Sequence, residues 1–473
     1  MSRQPSRSAV RPLAVRASRA VLAAVVVAAL ALAPMPVLAH QIGDSFRSPL
    51  PLSVYLLGAA IAVGVSFALV FRSDAAVGRP PPGRVRRLPA WARWLLRVVG
   101  VLAWLWIVVQ VLVVGGSSDA DVSSLFLWVY GWVGLALVSG LIGPVWSWLD
   151  PFLSGFDLLA AGARRLTSTR TPARWPRRLG RWPAVAGFAF FVWLELVVTG
   201  GAGGRNLVLT LLAYTILTWI GMAWFGRTRW RRQAEVFSVW FGLLGRLAPW
   251  RTSDDLVAGR EPGSRRVVRQ AFGDGLIHAR WAVDEVVLVA LATGAVMFDG
   301  LSQTLPWFEL FGLPGFGGST VLLFGFLGLV VLAVLAVGRW SGLAAVGAGL
   351  VPIAIGYITA HYLTFLIADG QRILIAVSDP FQQGWDLFGT AFWQVSITFL
   401  PGVVVWIIQL LAVVSGHAVG AWAGHAASTS QAPSGTDRRT LVRRQLPLAV
   451  LMIALTVITL WSLGQLVVEP PSP

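Results

Sequence analysis

Long apolar stretches recur along the whole chain and constrain its fold more than any other feature. A helix rises 1.5 Å per residue, so about 20 apolar residues are needed to cross roughly 30 Å of hydrocarbon. Ten stretches of this kind occur, at 50–71, 94–115, 123–148, 183–199, 206–225, 284–299, 319–338, 341–367, 392–421 and 446–466. They predict an all-α bundle of about ten transmembrane helices.

The composition excludes most other classes of protein. Charged residues make up 12% of the 473-residue chain, whereas soluble proteins are about 25% charged. The net charge of +17 would suit nucleic-acid binding only if the basic residues shared one solvated face, and here they lie in short loops between apolar stretches. We therefore expect a lipid bilayer and no nucleic acid as partner. Cysteine and lysine are absent, and no nucleotide or flavin motif is present.

The amino terminus has the three parts of a secretory signal peptide. Five arginines precede the apolar run at 20–33, and a small-residue site follows at 36–39. Cleavage after Ala39 removes residues 1–39 and makes His40 the first residue of the mature chain. The alternative is an uncleaved first helix, because the apolar run is long for a signal peptide.

Arginine is distributed unevenly between the predicted loops. With the mature amino terminus outside, 30 of the 38 arginines fall in cytoplasmic loops, and only Arg47, Arg205 and Arg372 fall on the outer side. Positive residues are retained on the cytoplasmic side of membranes, so we expect both mature termini to face outward. Residues 40–473 then form a single multi-span domain, placed in a bacterial plasma membrane.

Two apolar segments in the predicted cytoplasmic loops do not qualify as spans. Counting 233–250 as a span would place the six arginines that follow it outside, so we interpret it as an interfacial or re-entrant helix. Segment 150–165 is interpreted as a second interfacial helix. On the outer side, the aromatic segment 306–316 is typical of the headgroup layer.

Ionisable residues inside spans are costly, so each is a candidate functional residue. The predicted topology places four near the outer face, namely His40, Glu195, Asp299 and His361. A terminal histidine offers an amine and an imidazole, which with a second imidazole suits Cu(II), whereas imidazole with carboxylates suits zinc. We predict a copper or zinc site built from these residues.

A purely structural interpretation of the same residues remains open. Single polar residues in spans often bond a neighbouring helix, which would account for His361. Asp369, Asp379 and Asp386 belong to the next outer loop and would then cap turns rather than bind a metal.

Two further patterns occur on the inner side and in the later spans. His417 and His425 flank three glycines at four-residue spacing (416, 420 and 424), which is typical of a close-packed helix face, so we favour packing over a shared metal.

Proline interrupts the predicted eighth and ninth spans at Pro352 and at Pro401-Gly402. Paired broken helices indicate a transporter site, with ordinary helix kinks as the alternative.

Several stretches resemble the actinobacterial membrane proteins of the fenitrothion hydrolase-like family. They are RLGRWPAVAGFAFFVWLELV (178–197), RRQAEVFSVWFGLLGRLAPW (231–250), LVPIAIGYITAHYLTFLIADGQ (350–371), SDPFQQGWDLFGTA (378–391) and SGHAVGAWAGHA (415–426). With the LAHQIGD start, the resemblance extends from about residue 38 to 466. It implies organophosphate ester hydrolysis and carries over no catalytic residues.

Three functional classes follow from these observations. The first is a metal-dependent hydrolase of the phosphotriester type, in which a metal-activated water attacks the ester. The second is a metal-handling protein or secondary transporter with a site at the proline-broken helices. The third is a structural or assembly factor of the cell envelope.

Overall fold

Apolar helices determine the architecture. The computed structural model describes residues 51–72, 85–114, 122–163, 172–198, 203–252, 266–396, 400–433 and 436–465. In these ranges the chain is an all-α bundle with one small sheet. The first half contains α1 (Leu52–Val70), β1 (Val85–Arg87), α2 (Ala90–Val114), α3 (Val122–Leu141), α4 (Trp146–Leu149), α5 (Pro151–Ala163), α6 (Trp182–Leu196), α7 (Gly204–Phe225), α8 (Arg227–Gln233), α9 (Val236–Leu244) and β2 (Trp250–Thr252). The second half contains β3 (Arg266–Arg269), α10 (Asp274–Ile277), α11 (Val283–Ser302), α12 (Leu305–Phe311), α13 (Phe316–Ser341), α14 (Leu343–Ala368), α15 (Arg372–Ser378), α16 (Gly402–Ser430) and α17 (Arg438–Leu463).

Nine of the described helices are long and apolar enough to cross a membrane, so the chain is a multi-pass membrane protein. They are α1, α2, α3, α7, α11, α13, α14, α16 and α17. The remaining predicted span, at 183–199, corresponds to α6, which has 15 residues and is ~22 Å long. The total of ten spans, the outward termini and the signal peptide at 1–39, which lies outside the described residues, stay predictions.

Helix α6 runs alongside α11 from one end to the other. At its start, the backbone N–H of Arg181 donates to Asp284 Oδ2 at 2.6 Å. At its end, Glu195 interacts electrostatically with Asp299. Because both contacts are separated by similar numbers of residues on the two helices, α6 covers nearly the same depth of the bundle as α11.

The loops predicted to be cytoplasmic lie together at one end of the bundle. Strand β3 pairs antiparallel with both β1 and β2, which joins the loop after α1 to the loop after α9. Arg438 Nη2 donates to the Phe71 carbonyl at 2.7 Å, and the Ser341 hydroxyl donates to the Arg444 carbonyl at 2.7 Å. We call this the arginine-rich end and the opposite one the outer end.

Helices α11 and α14 form the centre of the bundle. The apolar 18-residue stretches of α11 and α14 are 78% and 83% buried, whereas those of α16 and α13 are 17% and 22% buried. The peripheral helices therefore expose apolar side chains of the kind that lipid covers, such as Leu329 and Leu411. A polar group on α11 or α14 is correspondingly far from lipid.

Glycine allows α14 and α16 to pack backbone against backbone. A Cβ at Gly420 would lie 2.5 Å from the Gly349 carbonyl oxygen, and one at Gly416 would lie 2.8 Å from the Pro352 carbonyl oxygen. Gly424 meets the Ala345 carbonyl in the same way. The predicted packing role of these three glycines is confirmed, since only hydrogen in place of a side chain permits this approach.

The sequence prediction about the second proline site is wrong. Pro401 is the residue before α16, and turns and loops occupy the described residues from 379 to 396. Pro352 does lie inside α14. Helix α17 begins at Arg438, earlier than its apolar stretch, so Pro447 is also internal.

The two predicted interfacial segments form separate short helices. Segment 150–165 contains α5, and 233–250 contains α9, whose nine residues are too few to cross a membrane. Val239, Trp240 and Leu244 of α9 are buried, so this helix packs into the bundle near its arginine-rich end.

A buried ionic cluster holds α5, α8 and α9 together. Arg231 Nε donates to Asp150 Oδ2 at 2.8 Å, and these side chains are only 3% and 1% exposed. Glu235 precedes α9 and accepts hydrogen bonds from the Tyr214 hydroxyl at 2.6 Å and from the Ser238 backbone N–H at 2.7 Å. The guanidinium thus pairs with Asp150, and Glu235 lies close enough to Asp150 for the two carboxyl groups to interact electrostatically.

Glu235 should give the fold a measurable pH dependence. Burial, followed by the negative charge of Asp150, raises the pKa of the Glu235 carboxyl above its ordinary value of 4.5. Between the two values the folded chain binds a proton that the unfolded chain has released, so the free energy of unfolding falls as the pH rises through this window. Glu235→Gln keeps an acceptor for Tyr214 and should flatten the dependence in detergent-based unfolding at a series of pH values. An unchanged slope would contradict this assignment.

Candidate functional site

Asp299 forms the hub of a polar cluster at the outer end. Its Oδ2 lies 2.8 Å from His361 Nε2 and accepts a hydrogen bond from the Tyr362 hydroxyl at 3.0 Å. Its Oδ1 accepts from Gln303 Nε2 at 2.7 Å. We call Asp299, His361, Tyr362 and Gln303 the outer centre. Helix α11 supplies the carboxyl group and α14 the imidazole, so the two most buried spans meet here.

The outer centre is open to the outer surface. The side chains of His361 and Asp299 are 17% and 13% exposed, and Gln303 is exposed. Asp299, which lies about one turn from the end of α11, is therefore reachable by small solutes. It also lies within protein rather than against lipid, as polar groups at membrane depth require.

The imidazole of His361 packs against the backbone of Gly300. A Cβ at Gly300 would lie 3.2 Å from His361 Nδ1 and 3.6 Å from the Ser462 hydroxyl oxygen. Glycine at this position thus makes room for the ring beside the end of α17. The Nε2 atom carries a proton in its hydrogen bond, because the carboxylate can only accept.

Glu195 adds a second carboxyl group close to the first. It is the second-last residue of α6, is partly buried, and interacts electrostatically with Asp299. Among the ion pairs of the described residues, none joins an arginine to either carboxyl group. Carboxyl oxygens and imidazole nitrogens are donor types that zinc and copper bind in proteins.

The structure brings together part of the predicted metal site. Asp299 and His361 are in direct contact, and Glu195 lies nearby. His40 lies outside the described residues. Within the described ranges, no three His, Cys, Asp or Glu side chains are grouped closely enough to hold a metal ion, so a complete site needs a further donor.

The aspartates of the outer loop hold turns. Asp369 pairs with Arg372 at 2.8 Å, and Asp379 accepts from the backbone N–H of Gln383 and of Gly384. Asp386 accepts from Ala391 N–H and from the Ser378 hydroxyl, and these hydrogen bonds lower the pKa of its carboxyl group. These contacts match the turn-capping alternative.

The inner histidines are both buried and have separate partners. His417 Nδ1 donates to the Val413 carbonyl at 2.8 Å, and the Tyr357 hydroxyl lies 3.4 Å from its Nε2. His425 Nδ1 donates to Gln445 Oε1 at 2.8 Å. The preference for packing over a shared metal agrees with this arrangement.

Sequence reasoning missed two members of the outer centre. Gln303 lies four residues after Asp299, a spacing that places two side chains on the same helix face, so this contact had a detectable signal. Tyr362 is adjacent to His361 in sequence, and neighbouring helical side chains normally point about 100° apart. Only the position of α11 in the structure shows that the side chains of His361 and Tyr362 both reach Asp299 Oδ2.

No family model, curated protein or solved structure matches the chain. The geometry of the outer centre is therefore the main argument about function.

Proposed function

We propose that this membrane protein binds a copper or zinc ion at the outer centre. The observation that carries the proposal is the contact between Asp299 and His361, which lie far apart in sequence and meet on the two central helices. Carboxylate oxygen and imidazole nitrogen are common donors for both metals. Glu195 offers a second carboxyl group close to that of Asp299.

In the metal-bound state, Asp299 would contribute an oxygen and His361 its Nε2, which would first lose the proton that it donates to Asp299, and Glu195 would serve as a further donor. His40 completes the set if the signal peptide is removed after Ala39. The uneven arginine distribution supports an arrangement in which the outer centre faces away from the cytoplasm of a bacterial cell. The protein would then take its metal from the extracytoplasmic side.

Metal titration of the purified protein tests this proposal. We expect detergent-solubilised, chelator-treated protein to bind one Zn²⁺ or Cu²⁺ per chain, measured by calorimetry and by elemental analysis after desalting. Asp299→Asn and His361→Gln should each weaken binding by at least ~100-fold, since they remove a donor rather than an outer partner, whose loss costs about 10–100-fold. Gly300→Ala should weaken it less, by displacing the imidazole.

Matched controls separate the site from general effects of substitution. His278→Gln removes a histidine that pairs with Asp274 at 2.9 Å, and Asp379→Asn removes an outer carboxylate that caps a turn. Both variants should retain full affinity. Absence of stoichiometric binding by the wild-type protein, or equal binding by the His361 and His278 variants, would refute the proposal.

Ester hydrolysis is a second candidate, because the two converging donors would leave coordination positions open. Water on such a metal has a pKa near 7 and attacks phosphoesters. The resemblance to fenitrothion hydrolase-like proteins supports the same class of substrate. Turnover of a chromogenic phosphotriester by metal-loaded protein in detergent, abolished in His361→Gln, would support it, whereas metal binding without turnover would leave a metal-handling protein.

A further inference from the structure

A strip of polar side chains crosses the otherwise apolar interface between α14, α16 and α17. Its six members lie on all three helices and are all buried: Tyr357, His417, His425, Gln445, Thr456 and Thr459. Polar groups within a bundle are costly and tend to mark a pathway for ions or substrates. Here they occupy one interface, and His361 of the outer centre lies one helical turn from Tyr357.

The middle of the strip contains a histidine arranged like a metal ligand. Gly356 contacts Gly416, so Tyr357 and His417 lie at the same depth. Because Nδ1–H of His417 is fixed on the Val413 carbonyl, its Nε2 presents a lone pair to the Tyr357 hydroxyl. Metal-binding histidines are usually oriented in this way, with the second ring nitrogen donating to a carbonyl or carboxylate.

The inner part of the strip contains a second histidine whose Nδ1 is held by a hydrogen bond. Gly424 meets the Ala345 carbonyl, which places His425 close to the arginine-rich end, ~12 Å from His417 along the helix. His425 Nδ1 is held by Gln445. Three imidazoles, those of residues 361, 417 and 425, therefore lie at three depths between the outer end and the arginine-rich end.

An unsatisfied polar atom and internal prolines accompany these histidines. Within the part of the chain that the structure describes, Gln445 Nε2 is buried without a hydrogen-bond partner, although buried polar groups are normally satisfied by protein or water. Pro352 of α14 and Pro447 of α17 lie inside helices, where proline removes a backbone hydrogen bond and permits bending.

We infer that the strip is a translocation pathway for the cation bound at the outer centre, with His417 as its middle station and His425 as its inner one. This inference rests on the proposed function, since the outer centre supplies the ion. It makes the protein a membrane transporter for a transition-metal ion. The imidazole nitrogens provide successive donors where the surrounding apolar side chains provide none.

Metal uptake by reconstituted vesicles tests the pathway. Proteoliposomes incubated with ZnCl₂ or CuCl₂ are passed over a chelating resin, and the internal metal is measured by elemental analysis. We expect uptake by the wild-type protein and by His278→Gln, and uptake at the level of empty vesicles for His417→Gln. The same His417→Gln protein should bind metal in detergent with wild-type affinity and unfold at the wild-type temperature.

The possible results separate the two proposals. Wild-type protein that binds metal in detergent but admits none into vesicles would overturn the pathway and leave the outer centre intact. Wild-type protein that binds no metal refutes the outer centre itself. Unimpaired uptake by both His417→Gln and His425→Gln would also overturn the pathway, and a His417→Gln protein that loses stability together with uptake would reduce His417 to a packing residue.

Discussion

Gly420→Leu should prevent α14 and α16, which pack closely along their glycines, from associating. The Cβ alone would lie 2.5 Å from the Gly349 carbonyl oxygen, which belongs to backbone and cannot rotate away. Even Gly420→Ala should cost roughly 3 kcal/mol, at the upper end of the usual penalty for overpacking. Leucine adds three more carbons at the same contact, so we expect little folded protein, measured as the monodisperse fraction in size-exclusion chromatography.

A glycine that also lies inside a long apolar helix, but at a position with space for a side chain, provides the control. Gly328 of α13 has nothing within 4 Å of its Cβ position, so Gly328→Ala should change the free energy of unfolding by no more than about 1 kcal/mol, the usual difference in helix propensity. If Gly420→Leu behaved like Gly328→Ala, the contact between α14 and α16 would have to be looser than the structure indicates.

Arg231→Met should be the most destabilising substitution in the ionic cluster. It leaves the buried carboxyl group of Asp150 without a counter-charge, and removing one partner of a buried pair costs about 3–5 kcal/mol. The loss should appear as a lower midpoint in detergent-based unfolding. The loss should be smaller at acidic pH, where protonation neutralises the stranded Asp150 carboxyl group.

The neighbouring Arg229 is the matched control. It is exposed and donates to the Ala173 carbonyl, so Arg229→Met removes a surface hydrogen bond and should change stability by about 1 kcal/mol or less. Adding Asp150→Asn to Arg231→Met should restore part of the lost stability by removing the stranded charge. A double variant no more stable than Arg231→Met alone would contradict the pairing.

Most spans were predictable because hydropathy is a local property. The stretch at 206–225 became α7 at Gly204–Phe225, and 341–367 became α14 at Leu343–Ala368. The predicted ninth span, 392–421, began too early, since α16 begins at Gly402. Hydropathy alone does not distinguish the loop at 392–396 from the start of a helix. The proline and glycine at 401 and 402 marked a helix boundary, which is where proline is favoured.

For the candidate site, the sequence predicted only how deep in the membrane its residues lie. Arginine distribution placed Asp299 and His361 in the same leaflet, and the structure brings them into contact. Which faces of α11 and α14 meet depends on packing across many residues, so Tyr362 was not foreseen. The cluster of Arg231, Asp150 and Glu235 was missed for the same reason, since its members come from separate short helices.

The small sheet was missed because its strands are short and lie in arginine-rich loops. Each has three or four residues, which is below the length at which alternation is informative. Pairing Val85 with Val268 depends on contacts between distant loops, and no local pattern reports it.

That pairing also limits how the chain can assemble during synthesis. β1 leaves the ribosome long before β3 exists, and at about 5–20 residues per second the delay is on the order of ten to forty seconds. Throughout this time β1 lacks the strand with which it pairs in the finished protein. Early interruption of translation should therefore yield fragments that insert correctly and yet remain susceptible to proteases at the loop containing β1.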